Sequence, residues 1–376
     1  MIPSTDEFVA PRYGDRSLGD VVPAVATALG SPLGPPPSGI ELPDASAYVV
    51  FLVDGLGAEL LARHASSAPF LFEQLNGSSA ATAGVPSTTA TSLTSLGTGL
   101  PPGAHGLVGY TSRIPGTNKL LNALTWDNDV DPREWQPSPT AFGTLSAAGL
   151  PVTVVNKREF RGSGLTEAGS RGAAFVGADR VGERIVAVAE AAATSPSLTY
   201  CYDGDLDWTG HRFGVDSHEW REQLTMIDYE AERLREALPP TARLVIVADH
   251  GMVDSPESAR VDIDSQPELR DGVTLVGGEA RFRHLYCGRG AVPSVVETWS
   301  SVLGNRAVVL SREDAIARGW FGAVSTSVLP RLGDVVVAAT GDTTILDSVA
   351  FPYEHKMVGF HGSLTPDEML IPLIVC

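Results

Sequence analysis

Residues 47–55, AYVVFLVDG, are apolar without a break until the run ends in an acid and a glycine, and LGAELLARH then follows with helical spacing. Continuous apolar runs of this length mark strands buried on both faces, which puts the acid at the strand's C-terminal edge. The same grammar recurs at 151–156 (PVTVVN), 197–205 (SLTYCYDGD), 243–251 (RLVIVADHG) and 369–375 (MLIPLIV). Between them, 179–193 (DRVGERIVAVAEAAA) and 218–238 (HEWREQLTMIDYEAERLREAL) carry helical patterns. This alternation predicts an α/β fold with a mostly parallel central sheet sandwiched by helices. Ligands of such sheets sit at the carboxyl ends of the strands. That edge gathers Asp54, an expected loop at 203–211 and the pair Asp249 and His250.

The rhythm breaks between 255 and 344, where short β-like pieces (VTLVGGEARFRHLYC, AVVL, DVVVAAT) surround one helical stretch, SREDAIARG. The pattern predicts a small α+β cap inserted into a catalytic domain formed by 47–254 and 345–376. Residues 1–46, rich in Pro, Gly and Ser, are expected to wrap that core as an N-terminal extension. The sequence contains no internal repeat and no low-complexity tract.

A chain of 376 residues, 43% apolar and 19% charged, has enough material for a full hydrophobic core and the composition of a soluble globular protein. No apolar run approaches the roughly 18 residues that cross a bilayer. The start, MIPSTDEFVAPRYGDRS, lacks the basic opening and apolar core of a signal peptide, so a cytoplasmic location is expected. Cys201, Cys287 and Cys376 are too far apart for a zinc or disulfide framework. The formal charge of −18, with only three lysines, excludes a broad nucleic-acid surface, and no nucleic acid polymer is expected as a partner. Phosphate chemistry on so acidic a chain needs a local positive centre, and a bound metal is the commonest one. The sequence says nothing of oligomeric state.

Two divalent ions a few ångströms apart need about six ligands drawn from carboxylates and imidazoles. Asp54 ends the first strand, Asp207 and His211 stand as D-x3-H in DLDWTGH, Asp249 and His250 close the strand at ADHG, and His361 lies in GFHGSL. All fall at strand ends or in glycine-containing loops, where a ligand can approach. Singly, each has an ordinary structural explanation, since an Asp before Gly is a common turn or cap and a loop histidine is commonly a hydrogen-bonded polar group. The pair Asp249 and His250 is less ordinary, because two such groups after an apolar strand carry a heavy desolvation cost unless something pairs with them. Asp203 and Asp205 are read as neighbouring acids; Asp205 rivals Asp207, but its spacing to His211 fits the D-x3-H pattern less well.

A nucleophile for phosphoryl transfer belongs on a tight turn that opens a helix. Residues 84–106, GVPSTTATSLTSLGTGLPPGAHG, fit, with 90–97 continuing as a helix of small residues. On local sequence Ser87, Thr88 and Thr89 are equally N-cap residues and nucleophile candidates. Glu354, His355 and Lys356 in YEHKMVGFHG either orient ligands or form a solvated turn, and TWDNDVDPREW at 125–135 is either a substrate wall or a surface loop.

Taken in order, LVDGLG, PSTTATSLTSLGTG, DLDWTGH, VADHGM and HGSLTPDEMLIPLI resemble the motifs of the alkaline phosphatase superfamily, most closely its nucleotide pyrophosphatase/phosphodiesterase branch, over roughly residues 48–376. The resemblance implies hydrolysis of phosphate diesters or nucleotide pyrophosphates through a covalent phosphothreonine between two zinc ions. The substrate it implies is a small-molecule phosphate ester or nucleotide. Manganese is the alternative metal, because mixed Asp/His ligation suits either. Family spacing from Pro86 and from Thr98 and Gly99 selects Thr89 as the nucleophile. Matched residue by residue, Asp207, His211 and His361 hold one ion, and Asp54, Asp249 and His250 the other. Many relatives place an asparagine three residues after the nucleophile, as a donor to a phosphoryl oxygen, and this chain has Ser92 there. Either the Ser92 hydroxyl or the Thr89 amide takes part of that role, or the substrate is seated differently. The C/S-x-P-x-R frame of sulfatases is missing around Thr89, and no arginine lies between Gly84 and Gly106, where monoesterases of the superfamily carry one. Diesters are therefore favoured; a phosphomonoesterase or a phosphonoacetate-type hydrolase on the same site is the alternative.

Overall fold

The computed structural model describes residues 8–75, 80–127 and 129–376; the first seven residues of the expected N-terminal extension, and Asn128 of TWDNDVDPREW, lie outside the described residues. In chain order the elements that build the site begin with β1 (Ala47–Val53), α1 (Thr89–Thr98), β2 (Val152–Asn156), β3 (Ala174–Gly177) and α2 (Val181–Ala192). There follow β4 (Ser197–Asp203), α3 (Asp205–Phe213), α4 (His218–Ala237) and β5 (Ala242–Val247). A second sheet uses β6 (Val273–Glu279), β7 (Phe282–Cys287), β8 (Ala307–Ser311) and β9 (Val335–Ala339), with α5 (Val292–Leu303) between β7 and β8; β10 (Leu373–Val375) closes the chain.

The central six-stranded sheet has the order β10-β5-β1-β4-β2-β3. Its strands are parallel except β10, which pairs antiparallel with β5. All seven residues of β1 are buried, as its unbroken apolar sequence requires of a strand covered on both faces. Helices α2 and α4 pack on each other to one side, joined by Arg184, which donates to Glu230 at 2.8 Å. Helix α1 packs with Val21–Ala28 and Ala141–Ala147 in the other helical layer. Leu18, Val21, Val22 and Val25 are fully buried, so this early segment contributes directly to the main core.

Two expectations are corrected. The run at 369–375 is not one strand: Leu370–Ile371 pairs with Ala81–Thr82, Pro372 interrupts the ladder, and only Leu373–Val375 joins the central sheet. Of the loop expected at 203–211, Asp203 ends β4 and residues 205–211 belong to the helix α3, with Gly204 as its N-cap. Its interior Gly210 is a poor helix former that packing demands, since a Cβ there would sit 2.5 Å from Met252 Sδ.

The second sheet is antiparallel in the order β6-β7-β9-β8. Alternation along β9 divides it between two cores: Val335 and Val337 join Trp299 and Leu303 of α5, whereas Val336 and Ala338 join the main core. The sheet is thereby fixed against the main core, and Glu279 at the end of β6 lines one cavity with Thr88 and Thr89.

Candidate active site

Parallel register aligns Val53 with Asp203 and Leu52 with Val247. One step further along, Asp54 leaves β1 with its N–H on the Asp203 carbonyl at 2.9 Å, beside Asp249 beyond β5. Gly55 then turns at φ +77°, and a Cβ there would lie 3.1 Å from the Asp207 backbone, so glycine lets α3 close over the strand end. On α3, Asp207 and His211 are one turn apart and face the same way, His211 Nε2 lying 3.3 Å from Asp207 Oδ2. His361 comes from the segment that follows the short strand Gly359–Phe360, with Nε2 3.2 Å from His211 Nε2.

The six side chains singled out from sequence thus meet as two clusters, Asp207, His211, His361 and Asp54, Asp249, His250, with the ligand atoms of each within 4.8 Å of one another. The rings of His250 and His361 stack 3.6 Å apart, so the clusters abut. Thr89, the first residue of α1, points its hydroxyl between them and the cavity, 3.3 Å from His250 Nε2 and 3.4 Å from Asp54 Oδ2. Of its rivals, Ser87 donates to the Ser363 carbonyl at 2.7 Å, and Thr88 is the N-cap residue.

Three observations test whether a metal fits these residues. Each histidine commits Nδ1–H to a backbone carbonyl: His211 to Gly359, His250 to Gly251 and His361 to Ser87, at 2.8–2.9 Å. A carbonyl only accepts, so in the neutral ring of each histidine the proton belongs on Nδ1, and Nε2, turned into the clusters, is the atom with a lone pair to offer. Asp54 Oδ1, Asp207 Oδ1 and Asp249 Oδ2 are buried without a hydrogen-bond partner. Burial, reinforced by Asp249 and Asp207, holds Asp54 well above the usual carboxylate range, and burial first of all raises Asp249 as well. Burial, then His250 and His211, pushes His361 well below its ordinary value, towards the neutral ligating form. Orphaned carboxylate oxygens facing imidazole Nε2 atoms are the donor set of a divalent cation, and the residues fit one.

Partners of these groups were not legible beforehand. Tyr202 donates to Asp54 Oδ2 at 2.6 Å, and the Gly55 and His250 N–H groups hold Asp249 Oδ1 at 3.0 Å. Asp203 pairs with the buried Arg184, and Asp205 turns outward to Lys157 at 2.8 Å, which leaves Asp207 facing the histidines. Glu354 is buried on Arg283 at 2.5 Å, while His355 and Lys356 are exposed. Ser92 is not brought to the cavity: it is fully buried and donates to the Asp249 carbonyl at 2.8 Å. A cavity of about 310 Å³ opens beside Thr89, with Tyr110, Leu124, Met357 and Phe360 as its apolar wall and Glu279 as a polar one.

A mostly parallel sheet that carries a helix-opening hydroxyl and two Asp/His clusters to one strand edge defines a hydrolase of phosphate esters. The chain belongs to the type I phosphodiesterase / nucleotide pyrophosphatase family, which it matches over residues 48–364, within the alkaline phosphatase superfamily. No curated protein sequence matches it. Among solved structures it is similar to murine ectonucleotide pyrophosphatase/phosphodiesterase 5, at 16% identity, a TM-score of 0.68 and 87% coverage of both chains. An inactive form of that murine protein in complex with AMP gives 17% identity, a TM-score of 0.67 and coverage of 88% and 87%. Phosphonoacetate hydrolase from Sinorhizobium meliloti 1021, in complex with phosphonoformate, gives 20% identity, a TM-score of 0.65 and coverage of 90% of this chain and 91% of the other. At such identities the likeness is one of fold. Among the described residues no helix is long and apolar enough to cross a membrane.

Proposed function

We propose that the protein hydrolyses phosphate diesters or nucleotide pyrophosphates through a phosphothreonine at Thr89, with Asp54, Asp249 and His250 holding one divalent cation and Asp207, His211 and His361 a second. The observation that carries this reading is the Thr89 hydroxyl, 3.3 Å from His250 and 3.4 Å from Asp54, beside three carboxylates that each keep an orphaned oxygen. The Asp/His donor set suits zinc, with manganese as the alternative. Bound there, the cations supply the positive charge that favours the Thr89 alkoxide, offsets charge on the phosphoryl oxygens and activates water.

The chain's own part follows from the same geometry. Thr89 Oγ1 bonds to phosphorus as the bond to the departing oxygen breaks, and water then cleaves the Thr89–phosphorus linkage and restores the hydroxyl. Thr89 sits in the first turn of α1, where N–H groups without intrahelical partners and the helix dipole favour the phosphoryl charge. Tyr202 and the Gly55 amide hold Asp54 and Asp249 in orientation. The 255–344 segment acts as a cap, because Glu279 at the end of β6 and Ala280 in the turn after it form part of the cavity wall.

Diesters are favoured over monoesters and phosphonoacetate by the cavity itself. Among its described lining residues there is no lysine or arginine to receive a further negative charge, whereas Tyr110, Leu124 and Phe360 offer apolar surface to an ester substituent. The AMP complex of the murine relative supports a substituent of nucleoside size. The three cysteines form no disulfide, which supports a reducing, cytoplasmic setting.

Purified zinc-loaded wild type and Thr89→Ala, assayed on bis-p-nitrophenyl phosphate, p-nitrophenyl phosphate and phosphonoacetate, test the reading. Diester turnover should exceed the other two and should fall by about 10⁴-fold or more in Thr89→Ala. A preference for the monoester or the phosphonate would overturn the substrate class, and an active Thr89→Ala would overturn the nucleophile.

A further inference from the structure

Ser92 has no proton left for a phosphoryl oxygen, since its hydroxyl already donates to the Asp249 carbonyl. Apart from the residues of the two Asp/His clusters, the described lining of the cavity beside Thr89 contains one polar side chain with an orphaned buried oxygen. Glu279, the last residue of β6, lines that cavity and is only 5% exposed. Its Oε1 accepts the Tyr110 N–H at 2.8 Å, whereas Oε2 has no hydrogen-bond partner. No described cavity-lining residue carries a cationic side chain of the Lys or Arg type, and the guanidinium of Arg283 on β7 is already committed to Glu354 at 2.5 Å and to the Ile345 carbonyl at 2.8 Å. Burying a carboxylate in this way costs several kcal/mol unless it takes up a proton. Burial accordingly pushes Glu279 up to about 8, against the opposing pull of the Tyr110 N–H, the Thr88 hydroxyl and Arg283. The neighbouring phenols of Tyr110 and Tyr353 hydrogen-bond each other, and burial raises both, so they stay neutral. Glu354, bound to Arg283, and Asp207 are the other acids of the described wall, and His211 and His361 are its remaining titratable groups.

We propose that Glu279 is a catalytic residue that binds substrate: as a neutral carboxylic acid it donates a hydrogen bond from Oε2 to a non-bridging oxygen of the phosphoryl group that Thr89 attacks. The inference rests on the diesterase reading above and adds to it the donor that Ser92 cannot be. A carboxylic acid has one proton to give and Oε1 is already an acceptor, so the proton belongs on Oε2, the oxygen without a partner. Glu279 belongs to the second sheet and Thr89 to the central domain, so the 255–344 segment supplies chemistry as well as a wall.

The experiment measures kcat and KM for bis-p-nitrophenyl phosphate with zinc-loaded wild type, Glu279→Ala and Glu279→Gln. Losing a donor that strengthens in the transition state lowers kcat by about 100-fold in Glu279→Ala with little change in KM. Glu279→Gln keeps the shape and an N–H donor, and should recover most of that loss. Glu279→Gln as poor as Glu279→Ala would show that a carboxylate is required and would overturn the proposal, as would an unaltered kcat in Glu279→Ala. Should Glu279→Ala fail to fold, the glutamine variant decides alone. Its kcat/KM must stay level over the alkaline range in which that of wild type declines, and an alkaline decline common to both overturns the assignment. A wild type inert towards the diester defeats the functional reading itself, whereas an active wild type indifferent to residue 279 defeats only this inference.

Discussion

Inside the second sheet, His284 donates from Nε2 to the Val108 carbonyl at 2.7 Å and accepts the Gly333 N–H on Nδ1 at 3.1 Å. At the edge of the central sheet, the equally buried His250 spends Nδ1 on the Gly251 carbonyl and leaves Nε2 facing Asp54, Asp249 and Thr89. Their surroundings differ in the same sense. Near His284, Arg281 holds Glu368 through two contacts of 2.7 Å, and Arg283 holds Glu354. Near His250, three carboxylates each keep a buried oxygen with no partner. A buried polar group with all its bonds made specifies a fold, and one with bonds left over is either a defect or a binding site. The leftovers converge from β1, β5, α3 and the His361 segment on one point, which is the mark of a binding site.

The sharpest way to break this comparison is to remove one histidine from each region. His250→Gln should lower diester kcat/KM at least a hundredfold, or about 3 kcal/mol in transition-state stabilisation, while the metal-free protein unfolds at nearly the wild-type urea concentration. His284→Ala should do the reverse. It leaves the Val108 carbonyl and Gly333 N–H unpaired in the interior, so it should cost about 3 kcal/mol of stability with kcat/KM unmoved. Steady-state kinetics and urea unfolding of both variants settle the matter, and two variants with the same phenotype would abolish the distinction.

Metal removal acts on one region alone. A cation at a thousandfold excess over its dissociation constant stabilises the fold by about 4 kcal/mol, so dialysis against a chelator should lower the thermal midpoint and abolish turnover, and zinc should restore both. In His250→Gln the same treatment should shift the midpoint much less. An unchanged midpoint in wild type would mean that the orphaned oxygens do not bind a cation.

The sequence discloses the two regions unequally. Parallel strands buried on both faces leave unbroken apolar runs, so β1, β4 and β5 and the acids at their ends are legible; the structure gathers Asp54 and Asp249, beyond β1 and β5, with the histidines, whereas Asp203 at the end of β4 pairs with Arg184. Strand direction leaves no such trace, and β10 runs antiparallel beyond a proline break at Pro372. Gly210 suggested a loop where packing against Met252 imposes a glycine inside a helix. The double allegiance of β9 is invisible because both its faces are apolar. Ser92 sits at a recognisable spacing from Thr89, yet its orientation depends on a carbonyl 157 residues away in sequence. Glu279 is a single acid after two glycines, with no partner spacing to single it out; only the fold brings it to the cavity.

A smaller effect separates the regions by sign. His284 and His105 are buried neutral, each with Nδ1 accepting a backbone N–H, and burial depresses them to about 4 and about 3. In the unfolded chain both titrate near 6.5, so below that pH the unfolded state binds protons that the fold refuses. Their stabilising contribution is complete above about pH 6.5 and is lost as pH falls, by about 2 kcal/mol per ring at pH 5. Asp54 and Asp249 act the other way in the metal-free protein. Their folded values are raised, so they favour the fold at low pH and cost stability as pH rises through their folded values. Urea unfolding of the metal-free protein between pH 7.5 and 5 reads the difference. His284→Ala should lose about 2 kcal/mol less than wild type on going to pH 5, whereas Asp54→Asn should lose more than wild type because it lacks the opposing acid. Parallel slopes in all three proteins would mean that the buried rings and the site carboxylates feel the same environment, and the contrast between a satisfied interior and an unsatisfied site would fall with them.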